Sequence, residues 1–244
     1  MKDYVLITGA SSGIGRQIAV TLSAEYPLIL NGRDESRLHE TAELCQNRDT
    51  IILWSHDLKD VASIGESLRA FLQERAVFVQ AFVHSAGISP LAPLRMLKIE
   101  TMQEIMNVNF FSAVEILKVL AQKKSNKQTL SRVVFISSIA SQIGTQGQSV
   151  YAASKSALNA FMRSAAVELA PRVRMNCILP GAMPTKMGQE IRDAGLQRTP
   201  KEDGYLLGEG HTQDVADMVA FLLSPQSRWL TGQCISVDGG RLAH

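Results

Sequence analysis

Thr8-Gly9-Ala10-Ser11-Ser12-Gly13-Ile14-Gly15 sets three glycines in a G-x-x-x-G-x-G order between a β-branched run, Tyr4–Thr8, and a segment of helical spacing, Ile14–Ala24. A strand that turns through glycine into a helix gathers free backbone N–H groups at the positive end of the helix dipole, where an anion is favoured. Glycine lets that backbone turn tightly and approach a pyrophosphate, and Ser11 and Ser12 add hydroxyl donors. In isolation the stretch reads equally as a Gly/Ser turn. Its place in an alternating chain decides for a nucleotide cofactor.

Outward from this loop, strand-like and helix-like segments alternate. Strands are expected at Leu28–Leu30, Ile51–Trp54, Gln80–His84, Arg132–Ser137, Val173–Leu179 and Gln233–Val237, after the first at Tyr4–Thr8. Helical spacing covers a segment N-capped by Asp34 and running to Gln46, then Val61–Glu74, one long helix from Ile99 to Lys123, Val150–Leu169 and His211–Leu223. Residues 182–210 are Gly- and charge-rich and read as a loop with short helices. Such alternation implies right-handed crossovers and an α/β architecture: one domain over 1–244, a doubly wound parallel sheet of about seven strands with helices on both faces. Ligands of such a sheet bind beyond the carboxyl ends of its strands. The chemistry is therefore expected in the loops after Thr8, Leu30, Trp54, His84, Phe135 and Leu179.

Asn31-Gly32-Arg33-Asp34 follows the second strand. A carboxylate there holds the ribose hydroxyls of NAD, whereas a 2′-phosphate wants a cation. Gly32 stands where the carboxylate is expected and Arg33 offers a planar donor fork, which favours NADP(H) over NAD(H). A surface Arg33–Asp34 pair, or Asp34 itself on the ribose, is the competing reading. In His56-Asp57-Leu58, after the third strand, Asp57 can accept from an adenine amino group or simply end a turn.

Tyr151-Ala152-Ala153-Ser154-Lys155 puts a phenol and an ammonium one turn apart on one helix face. An ammonium beside a phenol of ordinary pKa ~10 is expected to lower that pKa, making Tyr151 a usable general acid and base. Upstream, Phe135-Ile136-Ser137-Ser138 ends a strand at the same sheet edge. Ser138 can then hydrogen-bond a substrate oxygen, although Ser137 or Ser141 would serve similarly.

With these motifs in order, the chain resembles the short-chain dehydrogenase/reductase family, which has a Rossmann fold, from the first strand to Asp238-Gly239-Gly240. Length and motif order look closest to its 3-oxoacyl-carrier-protein reductase-like branch. Thr8–Gly15 matches the family's glycine motif. Asn107-Val108-Asn109 matches the segment whose second Asn joins the serine, tyrosine and lysine in a catalytic tetrad, here Asn109, Ser138, Tyr151 and Lys155. By resemblance Gly9, Ser11, Ser12, Gly13, Ile14, Gly15, Arg33, Asp57 and Leu58 line the cofactor, as do Ser85, Ala86 and Gly87. Pro180, Gly181 and Thr185 belong to the element that meets the nicotinamide, and Lys155 also reaches its ribose. Asn109, through its main chain, would help hold a water linking Lys155 to solvent. The implied activity is hydride transfer between NADP(H) and a ketone or secondary alcohol, on a small molecule either free or carrier-linked, by a homodimer or homotetramer. An NAD(H)-dependent sugar or hydroxy-acid dehydrogenase of the same fold is the alternative, and a non-catalytic dinucleotide sensor a more distant one. One departure stands out. His84-Ser85 replaces the family's usual Asn-Asn, and His84 is expected to tether neighbouring backbone rather than to catalyse or bind metal.

Composition excludes several other classes. Net charge is +2, with 20% charged and 45% hydrophobic residues, so neither nucleic acid nor membrane is an expected partner. No apolar stretch approaches the ~20 residues needed to cross a bilayer. The opening Met1-Lys2-Asp3-Tyr4-Val5 carries no signal-peptide apolar region, and the three cysteines form no metal-like pairs, so a cytoplasmic protein with reduced thiols and no metal is expected. Substrate choice is expected in 182–205, where Lys186, Arg192, Arg198 and Lys201 interleave with acids, helped by Ser89–Met96 and Ile139–Gln148.

Overall fold

A computed structural model describes residues 3–193 and 202–243, so Arg198 and Lys201 lie outside the described residues. Seven parallel strands, β1 (Asp3–Thr8), β2 (Leu28–Gly32), β3 (Ile51–Ser55), β4 (Phe78–His84), β5 (Arg132–Ile136), β6 (Arg174–Pro180) and β7 (Gln233–Val237), form one sheet in the order β3-β2-β1-β4-β5-β6-β7. Helices α1 (Gly13–Leu22), α2 (Glu35–Leu44) and α9 (Thr212–Leu223) cover one face, while α3 (Val61–Arg75), α5 (Ser112–Ala121) and α7 (Ser149–Leu169) cover the other. Helices α4 (Ile99–Met106), α6 (Lys123–Asn126) and α8 (Lys186–Asp193) complete the described set.

Burial on both faces explains the unbroken apolar runs. In β1, Leu6 enters one core while Val5 and Ile7 enter the other, and all three are fully buried. The chain winds outward from β1 through β2 and β3, then returns to place β4 on the other side of β1. The resulting switch point pairs Thr8 with His84, and a crevice opens above their carboxyl ends.

One expected element is divided. The segment read as a single helix from Ile99 to Lys123 is α4, a π turn at Asn107–Phe111, then α5 and the short α6. A π turn inserts one residue into an α-helix, and such insertions gather at functional sites. Asn109 lies inside it. Elsewhere the capping chemistry is as expected: the Asp34 carboxylate accepts from the Arg37 N–H at 3.2 Å and starts α2.

Candidate active site

The crevice is a cavity of about 580 Å3. Gly9 has φ +66°, and a Cβ there would stand 2.7 Å from the Ala86 Cα, so only glycine lets the end of β1 lie against the loop after β4. A Cβ on Gly15 would stand 2.2 Å from the Gly9 carbonyl oxygen. Both glycines therefore hold a close backbone cradle at the start of α1, and that cradle fits a pyrophosphate. Arg16 braces it from outside, donating to the Ser11 carbonyl at 2.8 Å while paired to Glu40 at 2.9 Å.

At one end of the cavity Gly32, Arg33, Arg37, Asp57 and Lys59 form the wall. Asp34 stays out of it. Its carboxylate accepts from Ser36 Oγ at 2.7 Å and from Arg37 N, bonds that hold its pKa below the ordinary value. Arg33 and Arg37 form no ion pair with another described residue, whereas Lys59 is paired with Glu104.

At the other end β5 and α7 bring Ser138, Tyr151 and Lys155 together on the cavity wall. Tyr151 and Lys155 are 9% and 3% exposed. Ser138 Oγ accepts from Ala140 N at 3.1 Å and lies near enough to the Tyr151 phenol to favour its ionised form. Ser137, an alternative on sequence grounds, instead donates to the Lys155 carbonyl at 3.2 Å, and Ser141 turns back onto the Ser138 carbonyl at 2.6 Å. The Lys155 ammonium donates to the Ile136 carbonyl at 2.9 Å and stands 5.8 Å from the centre of the Tyr151 ring. Gly87 leaves it room, since a Cβ there would come within 3.3 Å of Nζ.

Burial governs the ionisation of this corner. Burial pushes the Tyr151 phenol above its ordinary value, and only the nearby Ser138 hydroxyl pulls it back. Burial brings the Lys155 pKa down to about 8, against a smaller opposing effect from Cys177.

Asn109 does not line the cavity. Its Oδ1 accepts from Ile88 N at 2.8 Å, and its Nδ2 donates to Ile88 O and to Ser154 Oγ, each at 3.0 Å. That fully committed side chain stands one layer behind Lys155. His84, also fully buried, is a tether as expected. Thr8 Oγ1 accepts from Ser85 N and Ala86 N at 3.2 and 3.3 Å, so its proton goes to His84 Nδ1, 2.9 Å away. The imidazole proton then sits on Nε2, which lies near the π-turn backbone of Val108 and Asn109 with no close partner.

A family model described as "Enoyl-(Acyl carrier protein) reductase" matches residues 9–241. The 3-oxoacyl-(acyl-carrier-protein) reductase FabG of Escherichia coli (strain K12) is 33% identical over 242 residues, covering 96% of this chain and 95% of that one. The chain belongs to the short-chain dehydrogenase/reductase family. L-Xylulose reductase of Bos taurus is 30% identical over 98% of this chain and 96% of its own. Among solved structures, "ElxO with NADP Bound" superposes with a TM-score of 0.87 at 27% identity, covering all of both chains. Another ElxO structure carries a Tyr-to-Phe substitution with NADPH bound.

Within this short-chain dehydrogenase/reductase, the cavity collects 18 of the residues singled out from sequence and leaves out Asn109. It adds several that were missed. Arg37 lies one turn beyond Arg33, a spacing that was open to reading. Tyr205 accepts a bond from Ala182 N at 3.0 Å and packs on Gly181, where a Cβ would stand 2.7 Å from its ring. Arg241 arrives from just past the Asp238-Gly239-Gly240 turn, a contact with no local signature. The segment Ser89–Met96, expected to help select substrate, does not line the cavity. It touches the wall indirectly, through Ser89 Oγ accepting from Gln148 Nε2 at 3.0 Å, and Met96 is 64% exposed. Among the described residues no cluster of metal-ligating side chains exists and no helix is long and apolar enough to cross a membrane.

Proposed function

We propose that this oxidoreductase transfers a hydride between NADP(H) and a ketone or secondary alcohol, with Tyr151 as general acid and base. The observation that carries the reading is the meeting of a phenol, an ammonium and a hydroxyl at one wall of a cavity whose other end is a glycine cradle beside two uncommitted arginines. The dinucleotide supplies the hydride in reduction and accepts it in oxidation.

The N–H groups after Gly9 would hold its pyrophosphate, Arg33 and Arg37 a 2′-phosphate, and Asp57 and Leu58 the adenine. Ser85, Ala86 and Gly87 would line the ribose next to Lys155, with Pro180, Gly181 and Thr185 at the nicotinamide. Ser138 donates to the substrate oxygen and steadies the charge that develops there. Tyr151 gives its proton to that oxygen in reduction and removes it in oxidation. Lys155 places a positive charge behind the phenol, and Asn109 fixes the π-turn backbone next to it. Two uncommitted arginines beside Gly32, with Asp34 spent on capping, favour NADP(H) over the NAD(H)-dependent alternative. The ketone-reducing names among the relatives favour a carbonyl substrate, small or carrier-linked. We further read the chain as one domain of a cytoplasmic homodimer or homotetramer.

Tyr151→Phe tests the mechanism. Turnover on a ketone panel, followed by NADPH absorbance, is expected to fall by roughly 10²–10⁴-fold, the usual worth of a positioned proton donor. The NADPH Kd is expected to stay within about threefold, since the change removes a single oxygen. Near-normal turnover in the variant refutes the assignment.

A further inference from the structure

Tyr205 and Arg241 both line the cavity beyond the carboxyl ends of β6 and β7. The Tyr205 ring packs on Gly181, where a Cβ would stand 2.7 Å from it and 3.0 Å from the Asp238 Cα. Because β6 adjoins β5, whose end carries Ser138, this wall belongs to the catalytic corner. Arg33 and Arg37 follow β2, four strand spacings from β6 or roughly 19 Å along the sheet edge. The turn that carries Arg241 is held in place. The Asp238 carboxylate accepts from Gly240 N at 3.1 Å and Leu242 N at 2.9 Å, and Gly239 O accepts from Leu207 N at 3.1 Å. Those bonds fasten the turn to the segment bearing Tyr205, and the Arg241 charge acts on the Tyr205 phenol.

Neither group is committed to the fold. Tyr205 Oη accepts from Ala182 N at 3.0 Å, which leaves its proton with no acceptor among the described residues. Burial raises that phenol above its ordinary value, so it stays a donor at neutral pH. Arg241 forms no ion pair with another described residue. Lys186 and Asp203 share the cavity lining, and Ile143, Met183, Met187 and Ile191 give it apolar surface. We propose, resting on the hydride-transfer reading above, that the substrate is an oxo acid or hydroxy acid whose carboxylate is held by the Arg241 guanidinium and the Tyr205 hydroxyl. Its carbonyl or alcohol carbon then faces Ser138 and Tyr151, and the apolar lining takes the aliphatic chain. A guanidinium presents a planar fork to two carboxylate oxygens, and the phenol adds one further donor.

The test measures kcat/KM with NADPH for a series of oxohexanoic acids whose carbonyl steps away from the carboxylate, each against its methyl ester. The acid-to-ester ratio does not depend on the amount of folded protein, so a poorly folding variant still reports it. Wild type should favour at least one acid over its ester by about tenfold or more, and Arg241→Met should cut that ratio roughly 10–100-fold, the worth of a charge-assisted bidentate pair. Arg241→Lys, which keeps the charge and loses the fork, should recover part of the preference. The Kd of the tightest-binding acid for the NADP-loaded protein, read by calorimetry without turnover, should rise by a similar factor in Arg241→Met. Esters used as well as acids by wild type, or a ratio unmoved by Arg241→Met, would overturn the proposal. A response confined to an oxoacyl phosphopantetheine thioester, and lost in Arg241→Met, would give the guanidinium to a phosphate and overturn the carboxylate. If neither acid nor ester is turned over, the hydride-transfer reading fails and the calorimetric Kd decides: binding lost in Arg241→Met keeps the carboxylate site, and an absent or unchanged signal removes it.

Discussion

Replacing His84 by Asn, the residue usual in this family, should make the fold less sensitive to acid by an amount the structure sets. His84 is sealed at the strand switch point, and burial, aided by the nearby Lys155 charge, lowers its pKa to about 3. In the unfolded chain an imidazole titrates near ~6.5. The unfolded state therefore holds the extra proton between those values. Stability is fully present above the unfolded value and is lost as pH falls through the folded one. The whole gap corresponds to about 5 kcal/mol, of which about 2 kcal/mol falls between pH 7 and pH 5. The asparagine variant lacks this titration while keeping a polar partner for Thr8. Urea unfolding of both proteins at pH 7 and pH 5, at one protein concentration, isolates the effect, because every other titrating group is common to the two. Wild type should lose about 2 kcal/mol more than the variant over that interval. Equal losses, within about 0.5 kcal/mol, would show that the imidazole is not held neutral in the fold and would refute the tautomer assigned through Thr8.

Two further outcomes follow from the cofactor end. Gly15→Ala places a methyl group 2.2 Å from the Gly9 carbonyl oxygen, so the cradle must open. The NADPH Kd, read by fluorescence titration, should rise at least about tenfold, and an unchanged value would remove the cradle from the binding site. Arg33→Ala should weaken NADPH binding by roughly tenfold and leave NADH binding unaltered, because the lost group is a charge-assisted donor to a phosphate that NADH lacks. NADH binding that is tighter than NADPH binding and unaffected by the change would return the reading to an NAD(H) enzyme.

The strand–helix alternation was legible because a sheet buried on both faces demands unbroken apolar runs such as Val5-Leu6-Ile7, and two-sided burial demands crossover helices between them. The loops carrying chemistry were legible for the same reason, since parallel strands deliver all their carboxyl ends to one edge. The π turn was not. Apolar spacing continues through 99–121, and one inserted residue leaves the period almost unchanged over so short a span. Arg241 was invisible, and Tyr205 was covered only as the last residue of the 182–205 segment, because their contacts bridge distant parts of the chain with no local pattern. Asp34 illustrates a competition that only geometry resolves: a carboxylate before a helix serves as a cap or as a ribose ligand, and here both of its contacts are to the first turn of α2.

Ionisation was the least legible property, because motif spacing names the partners while burial sets their charge. Y-x-x-x-K spacing predicts a phenol made more acidic by its neighbour. The folded corner instead raises Tyr151 and lowers Lys155 to about 8, both through desolvation by elements far away in sequence. At pH 7 that leaves the phenol holding its proton and the lysine still mostly charged. A protonated phenol near Ser138, with a cation 5.8 Å from its ring centre, holds the proton that the proposed mechanism delivers. A protonated phenol is the form that gives its proton to a carbonyl oxygen, so under the proposed mechanism alcohol oxidation should gain on carbonyl reduction as rising pH strips the proton from Tyr151.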